Sequence, residues 1–137
     1  MPLRVRSTGK IADARRIFVV GHPNGLPLKL AGGARVRSNR RRAFFVANLD
    51  TYGGNSGSPV VDERTHVVEG ILVNGEDDFV QSDGCNVSVV CPDAGCQGEA
   101  VTRSTLWADR IPNGSRSTAS SVLSPRRARP PDRAGGR

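Results

Sequence analysis

Short apolar runs separated by turn-forming residues characterise the chain as far as Thr102. Runs such as 18–20 and 67–68 are rich in valine, and no stretch before Thr102 repeats its apolar residues with the period of a helix. Between the runs stand sequences that favour turns, namely Pro23-Asn24-Gly25, Gly32-Gly33, Gly53-Gly54 and Asn74-Gly75. This spacing predicts an all-β fold of short antiparallel strands.

One segment near the carboxyl end has a different pattern. Residues 102–111 place Leu106, Trp107 and Ile111 among polar residues, and Pro112 follows directly. Because a proline cannot continue a helix, we expect a short C-terminal amphipathic helix that ends before it.

The size and composition of the chain agree with a small β-structure. The chain has 137 residues, the size of a single domain, and aromatic residues make up only 4% of it. Its core must therefore consist mainly of valine, leucine, isoleucine and alanine from short strands. We expect an antiparallel barrel.

The sequence Gly54-Asn55-Ser56-Gly57-Ser58-Pro59 carries the strongest chemical signal. A serine hydroxyl is a weak nucleophile until a base removes its proton, and the oxyanion formed by its attack needs backbone N–H donors. Gly54 and Gly57 lack a Cβ, so they can adopt the positive φ that turns successive amides inward. The pattern indicates acyl transfer through Ser56.

This loop and its flanking strands resemble those of the trypsin-like serine endopeptidases, which have the chymotrypsin fold. Residues 18–29 resemble the first strand and turn of that family's second barrel, and residues 45–52 resemble the strand that enters the nucleophile loop. Residues 67–75 resemble the strand that walls the substrate groove. The resemblance covers residues 17–111 and implies a Greek-key barrel equivalent to the C-terminal half of a two-barrel protease.

The resemblance also implies roles for individual residues. Ser56 would be the nucleophile, the amides of Gly54 and Ser56 would form the oxyanion hole, and Val73-Asn74-Gly75 would line the substrate groove. Asn55 stands where the trypsin branch has an aspartate that pairs with a newly released amino terminus. The same Gly-Asn-Ser-Gly-Ser sequence occurs in the bacterial glutamyl-endopeptidase-like branch, so we expect a site that forms without zymogen cleavage.

No general base is evident for Ser56. In the family, the histidine and aspartate of the triad lie in a first barrel of roughly a hundred residues, whereas this chain has 55 residues before Ser56. We interpret His22 as a turn residue and His66 as part of an exposed hairpin tip. We therefore expect the first barrel to be missing and the chain alone to be weakly active or inactive.

Two kinds of function follow from these residues. The first is a serine-type endopeptidase that hydrolyses peptide bonds through an acyl-enzyme on Ser56, present here as a fragment without the triad histidine and aspartate. The alternative is a non-catalytic, protease-derived barrel that binds a peptide strand beside residues 73–75 by β-augmentation. Both need a peptide or protein partner, the first also needs the missing N-terminal barrel, and neither needs a cofactor or a metal.

Charge is distributed unevenly along the chain. The net charge of +7 is made up of +10 in residues 1–42, −8 in residues 43–112 and +5 in residues 113–137. The arginines at 40–42 and 126–129 could neutralise phosphates, but no aromatic or base-reading element accompanies them. We interpret these arginines as a solvated loop and a disordered tail, and we do not expect nucleic acid as a partner.

Cys85, Cys91 and Cys96 fall within twelve residues. A disulfide between two of them is one explanation, with three pairings open. Zinc binding is the other, but the spacing is not Cys-x2-Cys and neither histidine is near in sequence. We favour a small disulfide-closed loop, which the resemblance places near the substrate groove, where it would shape specificity.

Three segments are predicted: a basic leader, ordered in part at most, over residues 1–16, the barrel over residues 17–112, and a disordered basic tail over residues 113–137. The first 20 residues lack the apolar stretch of a signal peptide, and no run approaches the roughly 18 apolar residues of a membrane span. We expect neither a signal peptide nor a membrane anchor in this sequence, whereas the resemblance implies a secreted or periplasmic protein.

Overall fold

A computed structural model of the protein describes residues 2–92 and 95–112. The strands of this part are β1 (Arg4–Val5), β2 (Arg16–Gly21), β3 (Lys29–Ser38), β4 (Phe44–Ala47), β5 (Pro59–Asp62), β6 (Val67–Asn74), β7 (Phe79–Ser82), β8 (Cys85–Ser88) and β9 (Glu99–Arg103). Single 3-10 turns occupy Pro23–Gly25, Ser104–Leu106 and Ala108–Arg110. The tail predicted for residues 113–137 lies outside the described residues.

Six strands close into an antiparallel barrel, which confirms the fold predicted from the apolar pattern. Their order is β6-β5-β2-β3-β4-β9, and β9 pairs back onto β6 from Gly70 opposite Arg103 to Asn74 opposite Ala100. A short parallel pairing adds β1 to one end of β6. The strands β7 and β8 form a separate exposed hairpin.

The barrel core is built by alternation along each strand. Ile17 and Val19 point inward from β2, and Phe45 and Ala47 point inward from β4, each no more than 2% exposed. The other strands add Ala34, Val36, Val60, Leu72 and Val101. The result is a packed core, and the loops that connect the strands start and end on it.

The segment predicted as a basic leader packs against this barrel. Arg4 and Val5 pair with the start of β6, and Ile11 belongs to the core with 2% of its surface exposed. Arg6 forms a two-pronged ion pair with Glu69, whose side chain is completely buried. The division into three segments stays a prediction, but this part of the leader is anchored by one core residue and one buried charge pair.

The hairpin between β5 and β6 is fixed by the carboxylate of Asp62. It accepts hydrogen bonds from the backbone N–H groups of Arg64 at 2.9 Å and Thr65 at 2.8 Å, and from the side chain of Arg15. Burial opposes ionisation of this group, but the three hydrogen-bonding partners outweigh it and lower the pKa of Asp62 to about 2. His66 lies in this turn and is exposed.

The amphipathic helix predicted for residues 102–111 is wrong. The strand β9 extends to Arg103, because Thr102 is opposite both Phe44 and Ile71 where the barrel closes. Two separate 3-10 turns follow, divided at Trp107 with φ of −139°. Among the described residues, no helix has the length and apolar content needed to cross a bilayer.

The cysteine cluster forms one disulfide. Cys91 is bonded to Cys96 and closes a small loop, as favoured from the sequence, while Cys85 at the start of β8 is a free, exposed thiol. The carboxylate of Glu76 lies near both bonded sulfur atoms. Because disulfide sulfurs have no thiolate to offer, this group does not constitute a zinc site in the oxidised protein.

Candidate active site

The loop between β4 and β5 carries Ser56 on two tight turns. The Asn55 N–H donates to the Tyr52 carbonyl at 3.2 Å, and the Ser58 N–H donates to the Asn55 carbonyl at 3.0 Å. Ser56 is exposed between these turns, whereas Asn55 is 5% exposed. The fold therefore presents the predicted nucleophile at the surface.

Gly54 and Gly57 give this loop its shape. Their φ angles are +91° and +90°, in the region that favours glycine. A Cβ on Gly54 would also lie 3.0 Å from the carbonyl oxygen of His22, so this position has little room for a side chain. The geometry is compatible with an oxyanion hole at the backbone N–H groups of Gly54 and Ser56, a role that stays a prediction.

The Ser56 hydroxyl donates a hydrogen bond to the carbonyl oxygen of Val73 at 3.0 Å. The pairing of β5 with β6 ends at Pro59 opposite Ile71, so residues 73–75 run on past β5 beside Ser56. The structure thus brings the predicted nucleophile next to the predicted groove, whose residues are Val73, Asn74 and Gly75.

The amide of Asn55 points into the domain and packs against β2. A Cβ on Gly21 would overlap both the Asn55 Oδ1 atom and the Ser58 Oγ atom. Because the Asn55 amide is neutral, it can be buried here without an opposite charge. The buried Asn55 side chain therefore holds the nucleophile loop against β2.

Neither histidine is hydrogen-bonded to the Ser56 hydroxyl. The Nδ1 atom of His22 lies 3.1 Å from the Leu26 carbonyl oxygen, which holds the ring to its own turn. His66 lies beyond the other end of β5, and the four residues of that strand span roughly 13 Å. The described residues therefore supply no imidazole to this hydroxyl.

Two cavities adjoin the loop. The smaller, about 80 Å³, is lined by Ser56 together with neighbouring loop and groove residues. The larger, about 360 Å³, shares Thr51, Tyr52, Glu76 and Asp78 with it and extends to Glu99. Carboxylates line this combined space: Asp50, Glu76, Asp77, Asp78 and Glu99.

A comparison with known protein families agrees with this geometry. The model of the trypsin-like peptidase domain matches residues 1–71, which include the whole nucleophile loop. The chain belongs to the trypsin-like peptidase family. A comparison with curated proteins finds no match.

Solved structures of a trypsin-like fold resemble this domain. The active form of the Rv3671c protease from M. tuberculosis is 17% identical with a TM-score of 0.57, over 79% of this chain and 45% of that one. An inactive form of the same protease is 19% identical with a TM-score of 0.53, over 79% of this chain and 54% of that one. The chain spans about half the length of these structures, and the likeness concerns the fold.

Glu99 has the most perturbed carboxyl group in the cavities of this trypsin-like domain. Burial is the main cause that raises the pKa of Glu99 to about 7, and the nearby charges of Glu76 and Asp50 add to it. Its Oε2 atom is buried and has no hydrogen-bonding partner among the described residues. At neutral pH this carboxyl group is close to its midpoint of ionisation.

The raised pKa of Glu99 predicts that stability falls as the pH rises. The pKa is about 7 in the folded protein against an ordinary 4.5, so the folded state holds this proton more tightly. Its contribution is complete below pH 4.5 and is lost as the pH rises through 7. In Glu99→Gln we expect the drop in the urea midpoint between pH 5 and pH 8 to shrink.

A matched control for this measurement is Glu63→Gln. Glu63 is exposed on the β5–β6 turn and pairs with Arg16 at the surface. This variant should keep the pH dependence of the wild-type protein. If Glu99→Gln kept it as well, the perturbed carboxyl group would have to be another one.

The acidic lining of the cavities was not predicted from the sequence, although three of its residues are adjacent there. Residues 76–78 are all acidic and directly follow the groove residues 73–75. The contribution of Glu99 could not be found in this way, because closure of the barrel between β9 and β6 brings it to the cavity.

Proposed function

We propose that Ser56 is the nucleophile of a serine-type endopeptidase. The observation that carries this proposal is an exposed hydroxyl on a glycine-shaped loop, beside the free edge of β6, in a trypsin-like peptidase domain. An extended peptide laid along residues 73–75 would place its carbonyl group next to Ser56. The N–H groups of Gly54 and Ser56 would then stabilise the oxyanion.

The proposed site is incomplete within the described residues. The proton of the Ser56 hydroxyl is directed at the Val73 carbonyl, which cannot remove it, and neither histidine is hydrogen-bonded to this hydroxyl. We propose that the histidine and aspartate of the triad are supplied by a further barrel, either from another segment or from a separate chain. Without them, the oxyanion hole and substrate binding alone would accelerate hydrolysis by only roughly 10³- to 10⁴-fold over the reaction in water.

Asn55 supports the finer assignment to the glutamyl-endopeptidase-like branch. Its buried neutral amide holds the loop without a charged partner, so no zymogen switch is required. Export from the cytoplasm is part of the same proposal. It is supported by the Cys91–Cys96 disulfide, a bond that persists in oxidising compartments.

The free edge of β6 also favours a second candidate function. Backbone hydrogen bonds between the nucleophile segment and β6 continue to Leu72, whose carbonyl and N–H pair with Gly57 and Ser58, so the residues from Val73 onward are those that would pair with an added strand. A peptide-binding barrel without catalysis would use the same edge and would have no need of the Ser56 hydroxyl. Chemical reactivity of that hydroxyl therefore separates the two functions.

Reaction with a fluorophosphonate probe tests the proposal, with free imidazole added as an external base. We expect slow labelling of Ser56 in the protein alone and faster labelling as the imidazole concentration is raised. Labelling is measured by mass spectrometry of the peptide that contains residue 56. The reason is that the loop is preformed and lacks a base to accept the proton. Ser56→Ala should show no increase.

Two outcomes would each contradict one part of this proposal. Rapid stoichiometric labelling without imidazole would contradict the missing base, because it would show that the chain already contains one. No labelling at any imidazole concentration would favour the peptide-binding function. Ser82→Ala removes an exposed hydroxyl on the β7–β8 hairpin that lines neither cavity, and should react like the wild-type protein.

A further inference from the structure

We propose that the loop between β3 and β4 is a binding site for a phosphoryl group, a multiply charged oxyanion. This loop comprises residues 39–43, and the three arginines at 40–42 are all exposed. By themselves these arginines would be a solvated turn. The fold brings two further cations to the same place, Lys10 and Arg103, and this convergence carries the inference. It does not depend on the proposed function of Ser56.

Arg103 places a buried positive charge at the base of this loop. The residue is 3% exposed at the end of β9, and its guanidinium lies 5.5 Å from the centre of the Phe45 ring. Among the described residues it forms no salt bridge, and its buried Nε atom has no hydrogen-bonding partner. Such a charge is costly, because burial removes water that no counter-charge replaces. The same burial lowers the pKa of Arg103.

The guanidinium of Arg103 is directed at the loop. Its Nη2 atom donates to the carbonyl oxygens of Asn39 at 3.3 Å and Arg41 at 3.2 Å, and also to the side-chain oxygen of Asn39. The backbone N–H of Arg103 donates to the carbonyl oxygen of Ala43 at 3.0 Å. The carbonyl groups of alternate loop residues therefore face the buried charge, which holds the loop in place.

Lys10 adds a cation from the N-terminal segment. Its Nζ atom donates to the Asn39 carbonyl oxygen at 3.4 Å, and this is the same oxygen that accepts a hydrogen bond from Arg103. Two cations thus share one neutral acceptor. Because like charges repel at this separation, a bound anion would stabilise the arrangement.

The nearby acidic groups do not neutralise this cluster. Asp13 and Glu69 are the carboxylates whose fields act on Arg103. Asp13 forms no ion pair within the part of the chain that the structure describes, and Glu69 is already bonded through both oxygens to Arg6. Asp13 is also the only acidic residue among the first 42 of the sequence. The loop therefore keeps an excess of positive charge.

The backbone of the loop offers hydrogen-bond donors beside these charges. The N–H groups of residues 40–42 make no hydrogen bond with the described residues. Guanidinium groups match the geometry of phosphate oxygens and can bind two of them at once. A phosphoryl group carries up to about two negative charges and three acceptor oxygens, whereas a carboxylate carries one charge and two oxygens. The donor set therefore favours a phosphoryl group over an acidic side chain.

The proposed site lies away from Ser56. The loop precedes β4 and the nucleophile loop follows it, and the four residues of β4 span roughly 13 Å. A ligand bound at the loop would leave the candidate active site open. A soluble phosphate compound and the headgroup of an anionic lipid both present the required chemistry.

Titration of inorganic pyrophosphate into the ¹⁵N-labelled full chain tests the proposal, with the ionic strength held constant by sodium chloride. We expect shifts centred on the amides of residues 40–43 and Lys10. We also expect pyrophosphate to raise the thermal midpoint of unfolding, because a ligand that binds the folded state stabilises it. Sodium chloride at equal ionic strength should not produce this rise.

Removing two loop charges should weaken this binding. We expect the double variant Arg40→Gln with Arg42→Gln to lower the affinity for pyrophosphate about tenfold or more. The matched control is Lys29→Gln with Arg64→Gln, which makes the same change of net charge at exposed residues, one at the opposite end of β3 and one on the β5–β6 turn. Its affinity should stay within about twofold of the wild-type value. The arginines of residues 113–137 are present in every variant, so their contribution is common to all.

Sedimentation with phosphatidylglycerol vesicles identifies the source of the phosphoryl group. A lipid headgroup is indicated if the wild-type protein sediments, the Arg40→Gln and Arg42→Gln variant does not, and pyrophosphate releases the protein. A soluble phosphate compound is indicated if pyrophosphate binds and the vesicles do not sediment the protein. Either result supports a phosphoryl site at the loop.

Three results would overturn the inference: no binding of pyrophosphate, shifts centred away from the loop, or equal weakening in the two double variants. A fourth is a short duplex DNA that binds more tightly than pyrophosphate and loses affinity equally in both double variants. The positive charge would then form a diffuse nucleic-acid surface rather than a site at the loop.

Discussion

Gly70→Ala is expected to destabilise the barrel by about 3 kcal/mol or more. Gly70 lies on β6 where β9 closes the barrel, and a Cβ at this position would overlap the carbonyl oxygen of Thr102. That oxygen belongs to a paired strand, so the two strands must separate to make room. Because small domains are stable by only about 5–15 kcal/mol, this loss is a large fraction of the total.

Urea unfolding followed by circular dichroism measures this loss, and Gly32→Ala is the matched control. Gly32 also lies in a strand, β3, but a Cβ there would meet only a Leu30 side-chain atom at 3.7 Å, an ordinary contact. Gly32→Ala should be neutral or slightly stabilising. Equal stability of the two variants would show that the β6–β9 seam tolerates a side chain.

Arg6→Ala is expected to cost about 3–5 kcal/mol, because it leaves a buried charge without its partner. The Glu69 side chain is completely buried and is bonded through both of its oxygens to the guanidinium of Arg6. Glu69 would then have to take up a proton or draw in water. The thermal midpoint of unfolding should fall accordingly.

A surface ion pair provides the control for Arg6→Ala. Arg16 and Glu63 are bonded at 2.7 Å, but both side chains are about half exposed, at 55% and 43%. Arg16→Ala should cost less than about 1 kcal/mol. The double variant Arg6→Met with Glu69→Leu should recover most of the stability, since it removes both charges. If the double variant lost as much stability as Arg6→Ala, the N-terminal segment that contains Arg6 would depend on the charge pair itself rather than on the absence of an unpaired charge.

The sequence allowed accurate prediction wherever the relevant information is local. The short apolar runs separated by turn residues predicted the all-β barrel, and the glycines around Ser56 predicted the shape of the nucleophile loop. Both depend on the chemistry of neighbouring residues, such as the positive φ of Gly54 and Gly57.

Contacts between distant segments could not be predicted in this way. Glu69 is buried because Arg6, 63 residues earlier, lies over it, and nothing in either local sequence indicates the pairing. In the same way, pairing across the closed barrel extended β9 to Arg103, where a helix was expected. The acidic cavity could not be predicted for the same reason, because Glu99 lies on β9 and reaches the cavity only when the barrel closes.

The disulfide between Cys91 and Cys96 has a consequence for the larger cavity, since both cysteines line it and Arg37 bonds to the Cys96 carbonyl. A reductant that opens this bond would release the loop from its closed form and free the Arg37 side chain to turn. The outline of that wall therefore depends on the redox potential of the medium as well as on the fold.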